Sequence, residues 1–105
     1  MPALPDTEKT EDNRVKGCTS RVWLVIDDAD GDAFRFRADS DAHIVKGLAA
    51  LLVRLYSGRE ASEIGRIDAR EVLARIGLSE HLSPQRSNGL NAMIARIRAE
   101  AGVQA

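Results

Sequence analysis

Val22-Trp23-Leu24-Val25-Ile26, then Asp27-Asp28-Ala29-Asp30-Gly31-Asp32, then Phe34-Arg35-Phe36-Arg37-Ala38: this stretch decides the fold. The first run is β-branched and aromatic, the composition of a strand. The acidic run carries the Asp30-Gly31 turn signal, and the third run alternates apolar with charged residues, as a strand with one wet face does. Together they predict an antiparallel hairpin, Val22 to Ile26 against Phe34 to Ala38. The acidic run also mimics a calcium loop, with Gly31 as its glycine and Asp28 and Asp30 as ligands. Ile26 and Arg37 would then occupy the first and last ligand positions, which need oxygen donors, so the run reads as a solvated turn.

Beyond the hairpin the period becomes helical. Asp39-Ser40-Asp41 offers N-cap side chains, and Ile44, Leu48, Leu51, Leu52 and Leu55 follow as a core stripe until Ser57-Gly58. A short helix is expected from Ala61 to Ile67. Asp68 with Glu71 makes a capping-box-like start for another over Ala69 to Ile76, ended by Gly77. Ser83-Pro84 reads as an N-cap with proline at the first helical position, and Leu90, Met93, Ile94 and Ile97 line one face of the last helix. A hairpin followed by helices defines the class as α+β.

With 105 residues, 44% of them hydrophobic, the chain is long enough for one domain with a real core, spanning residues 1–105. Met1 to Lys16 is polar and holds Pro2 and Pro5, so it is expected to be extended and mobile. Fifteen Lys and Arg against sixteen Asp and Glu leave a net charge of -1, no field for gathering nucleic acid or anionic lipid. No apolar run approaches the ~20 residues that span a bilayer, and Met1 to Arg14 contains no apolar targeting core. A single cysteine cannot form an internal disulfide, which fits a reducing compartment, so a cytoplasmic location is expected.

That cysteine, Cys18, sits in Lys16-Gly17-Cys18-Thr19-Ser20-Arg21, just before the first strand. One reading is a buried small hydrophobe. The other is a reactive loop thiol: Arg14, Lys16 and Arg21 favour the thiolate, and Gly17 leaves backbone space for an approaching group. Zinc needs about four ligands, and Cys18, His43 and His81 are too few and unpaired in spacing. Thioredoxin-like redox chemistry needs a second cysteine to resolve a mixed disulfide, and there is none. His43 and His81 are candidate bases towards Cys18, or solvated residues near helix starts.

The run Asn13-Arg14-Val15-Lys16-Gly17-Cys18-Thr19-Ser20-Arg21-Val22-Trp23 resembles the cysteine-loop signature of SufE and CsdE. Three more blocks follow in the family's order: Asp39-Ser40-Asp41 leading to Ile44-Val45-Lys46-Gly47-Leu48, then His81-Leu82-Ser83-Pro84-x-Arg86, then Gly89-Leu90-x-Ala92-Met93. The resemblance covers about Pro5 to Ala101. It implies a SufE/IscU-like fold, a curved three-stranded antiparallel sheet packed against helices, with its third strand around Arg14 to Gly17. It also implies that Cys18 accepts persulfide sulfur from a cysteine desulfurase of the SufS/CsdA kind, stimulates that enzyme and passes the sulfur to iron–sulfur cluster assembly. No cofactor or metal is expected on this chain; pyridoxal phosphate belongs to the desulfurase. Gly17, Asp41 and Arg86 stand at family motif positions and are candidates for shaping the loop or the partner surface, although Asp41 also reads as a helix N-terminal acid and Arg86 as a first-turn surface residue. Members usually carry one or two helices ahead of the segment around Leu4, so a bare apolar face and a homodimer are expected here. The alternative function is a regulatory interaction module that keeps the fold without carrying sulfur.

Overall fold

The computed structural model describes residues 3–28 and 33–103, without the side chain of His81. Strand β1 (Val22–Asp28) pairs antiparallel with β2 (Arg35–Ser40), in the register Val22 to Ser40, Leu24 to Ala38 and Ile26 to Phe36. The hairpin is therefore as expected; its Asp30-Gly31 turn lies outside the described residues. A bulge at Asp27 lets Asp28 pair with Arg35 and sets the Asp27 carboxylate 2.9 Å from Arg37 Nε on the facing strand.

Because side chains alternate across a strand, Val22 and Leu24 enter the main core with Phe36 and Ala38, while Trp23 and Val25 point to the opposite face. An apolar run on both sides of a strand requires cover on both faces. The second cover is the N-terminal segment: Leu4 packs with Trp23 and Val25, and all three are buried. The segment expected to be extended and mobile instead forms a 3-10 turn at Asp6–Glu8 and is held by ion pairs. Glu8 takes a bidentate pair from Arg37 at 2.8 and 2.6 Å, and the Leu4 amide donates to Asp39 Oδ2 at 3.0 Å. Reading the segment by its polarity missed that its charges have fixed partners on the hairpin. This face of the sheet is thus covered from within the chain.

The resemblance implies three strands, and the sheet among the described residues has two. Where the third was expected, Arg14 makes one isolated bridge to Trp23, with Val15 N donating to Val22 O at 2.8 Å and Leu24 N donating to Asn13 O at 2.7 Å. Gly17 then turns the chain away with φ +91, which ends the ladder.

Helices α1 (His43–Tyr56), α2 (Ala61–Arg66), α3 (Ala69–Arg75) and α4 (Pro84–Glu100) complete the α+β fold. Leu48, Ala49, Leu52 and Tyr56 of α1 are buried in one core with Leu90, Met93 and Ile97 of α4. The Tyr56 hydroxyl donates to the Ile67 carbonyl at 3.2 Å, so its burial leaves no polar atom unpaired. Asp68 and Ser83 cap α3 and α4 as their positions predict, accepting from the amides of Glu71 and Arg86. The start of α1 differs. Its N-cap is Ala42, with no side-chain cap, because Asp39, Ser40 and Asp41 bond elsewhere. Ser40 Oγ donates to Arg21 O at 2.8 Å and Asp41 Oδ1 accepts from Arg21 N at 3.0 Å, so both fasten the end of the cysteine loop to the start of α1.

Candidate functional site

The cysteine loop, the first turns of α1 and the first half of α4 enclose an open cavity of about 490 Å³. Cys18 lines it, with His43, Ile44 and Leu48 from α1 and Arg86, Gly89 and Met93 from α4. Cys18 is half-buried, and its Sγ donates to the Gly89 carbonyl oxygen at 3.5 Å. The loop lies along one face of α4. Gly17 backs onto Ala92, Cys18 onto Gly89, and Arg96 binds the carbonyls of Asp12 at 2.9 Å and Arg14 at 3.2 Å. Residues 89, 92 and 96 share that face through helical spacing.

Burial pushes the Cys18 thiol above its ordinary range, with the nearby Arg14 charge pulling the other way. Of the three cations expected to favour the thiolate, Arg14 does act on it, and burial outweighs it. Glu11 pairs with both Arg14, at 3.4 Å, and Lys16, at 3.3 Å, and Arg21 engages Asp41 through its backbone amide. The resting cysteine is a protonated, sheltered thiol.

The structure brings Arg86 and Cys18 into one cavity and sets Gly17 outside it, against Ala92. A Cβ at Gly17 would stand 3.3 Å from the Ala92 Cβ, on a backbone that side chains disfavour. Asp41 does not line the cavity and acts on the loop through the Arg21 amide. His43 lines the cavity without a hydrogen bond to Cys18, and the His81 side chain lies outside the described residues. Sequence reasoning missed Ile44 and the contact of Gly89. Helical spacing put Ile44 in the core, yet it is 56% exposed at the cavity. Glycine inside an amphipathic helix was the available signal for Gly89.

Among the described residues no group of three or more His, Cys, Asp and Glu side chains is placed to hold a metal ion, and no helix is long and apolar enough to cross a membrane. Fold and site together define a small α+β domain with one half-buried thiol facing a cavity. The chain belongs to the SufE family: the family's profile, described as an Fe-S metabolism associated domain, matches residues 1–101. A SufE-like protein of Rhizobium meliloti (strain 1021), called uncharacterized, is 50% identical over 104 residues, covering 96% of this chain and 74% of its own length. An equally named protein of Rhizobium etli is 50% identical over 108 residues, covering 100% of this chain and 73% of its own length.

Proposed function

We propose that the chain is a sulfur acceptor and carrier, with Cys18 taking persulfide sulfur from a partner cysteine desulfurase and passing it to iron–sulfur cluster assembly in the cytoplasm. The observation that supports this best is the seat of Cys18, the only cysteine, on the wall of an open cavity in a SufE-family domain. Cys18 gives up its proton and its sulfur attacks the outer sulfur of the donor persulfide. A new S–S bond forms at Cys18 Sγ as the donor's S–S bond breaks, and the donor sulfur leaves as a thiolate that takes up a proton. No external oxidant or reductant is required. Arg14 is the charge that favours the attacking thiolate, Arg86 stands where the donor group enters, and Ile44 offers that group an apolar contact at the cavity.

Burial raises the thiol pKa and so favours a second reading, a SufE-like module that binds the desulfurase without taking sulfur. Alanine release by a desulfurase supplied with cysteine separates the two. A carrier speeds turnover and Cys18→Ser abolishes the gain; a binding module gives the same effect with either side chain.

A further inference from the structure

A second cavity, of about 340 Å³, lies where α2, α3 and α4 meet, and it shares no lining residue with the cavity of Cys18. Asn91, Ile94 and Arg98, at helical spacing, present to it a separate face of α4. Three arginines line it, each from a different helix: Arg66 at the end of α2, Arg70 in the first turn of α3 and Arg98 in the last turn of α4. A chain of net charge -1 has no general excess of cations that would gather three guanidinium groups in one groove, where like charges repel. Arg75 of α3 and Arg96 of α4 pair with Glu71 and Glu100 at 2.7 and 2.9 Å, whereas among the described residues Arg66, Arg70 and Arg98 have no carboxylate partner. Neutral acceptors hold two of them. Arg70 Nη1 donates to Asn91 Oδ1 and Arg98 Nη1 to the Ile64 carbonyl at 3.3 Å, which fixes the side chains and leaves their charge uncompensated. The one carboxylate of the cavity, Asp68, accepts from the Glu71 amide at 3.2 Å as the cap of α3.

We infer that this cavity binds a small phosphorylated molecule, with Arg66, Arg70 and Arg98 on the phosphoryl oxygens and Ile67 and Ile94 against the carbon body. Three guanidinium charges against one carboxylate leave two in excess, and a phosphate monoester carries about two negative charges at neutral pH. Its three terminal oxygens can each take a charge-assisted hydrogen bond from a separate arginine. A carboxylate has two oxygens in one plane and one charge, which a single arginine satisfies. The volume is that of a small-molecule pocket, and the two isoleucines give it the apolar wall such pockets need. Cys18 takes no part in this site, so the inference goes beyond the carrier reading and does not depend on it.

Phenyl phosphate titrated into the full chain, in a chloride buffer free of phosphate and followed by amide NMR, tests the inference. Binding should saturate, with the largest shifts at Ile67, Arg70 and Asn91 and little change at Cys18. Arg70→Gln and Arg98→Gln should each weaken the affinity severalfold. Arg66→Gln should do the same, and because Arg66 makes no hydrogen bond or ion pair among the described residues, its loss cannot be ascribed to unfolding. Arg75→Gln, which removes an exposed arginine outside the cavity, should bind as the native protein does. Benzoate, the carboxylate counterpart of the probe, should bind severalfold more weakly than phenyl phosphate. A titration that never saturates, shifts centred on Arg86 and the cysteine cavity, an equal loss in Arg75→Gln, or benzoate bound as tightly as phenyl phosphate would overturn the inference.

Discussion

At Cys18, burial and charge oppose each other and burial dominates, leaving the thiol protonated at rest. Alkylation by iodoacetamide across pH should therefore rise with a midpoint above the ordinary cysteine value of about 8.5. Arg14→Ala should move it higher still, because the one opposing charge is removed; a midpoint below the ordinary value would contradict the account of the site. Gly17→Ala should destabilise the domain by about 1–2 kcal/mol in denaturant unfolding, since alanine must take a positive φ while its methyl group presses on Ala92. The cysteine loop was legible as a candidate site, because a lone cysteine between Gly17 and small polar residues stands outside any apolar run. Its electrostatics were not, since the burial that raises the thiol comes from packing against α4, far along the chain, and the local spacing of Glu11, Arg14 and Lys16 does not show that their side chains pair.

Among the elements, the N-terminal segment departs furthest from its sequence reading, and Asp39 shows why. Its side chain is buried in β2, accepts from the Leu4 and Ser40 amides at 3.0 and 2.8 Å, and pairs with Lys46 at 3.3 Å. Burial alone would raise the carboxyl pKa, but these hydrogen bonds and the Lys46 charge outweigh it and hold the group below its ordinary value. With the folded pKa depressed, the contribution to stability is complete above the unfolded value of about 3.9 and is lost as pH falls through the lower folded value. Asp39→Ala should cost on the order of 3 kcal/mol near neutral pH and flatten the acid limb of the stability profile; an unchanged acid limb would show that the carboxylate does not hold the segment. Leu4→Ala should cost about 2 kcal/mol or more and shift the emission of Trp23, the only tryptophan, to longer wavelength. Strands and helices were legible because their periods of two and 3.6 are local. The bonds of Asp39, Ser40 and Asp41 were not, since a carboxylate or hydroxyl beside a helix start resembles a cap until Leu4 and Arg21 are seen to claim it.

For the molecule as a whole, the cysteine loop, α1 and α4 converge on one cavity, and the family assignment joins that geometry to iron–sulfur metabolism. The sequence motifs name the residues that meet there, Cys18, Arg86 and Gly89, while their spacing could not show that the thiol is sheltered by α4 or that Ile44 leaves the core for the cavity. The central claim is that this sheltered thiol accepts sulfur. Intact mass after incubation with a cysteine desulfurase and free cysteine tests it most directly: the native chain should gain one sulfur atom, removable by a thiol reductant, and Cys18→Ser, folded to the same degree, should gain none. An unmodified native chain under conditions that load another SufE-family protein, or a sulfur retained by Cys18→Ser, would contradict the account.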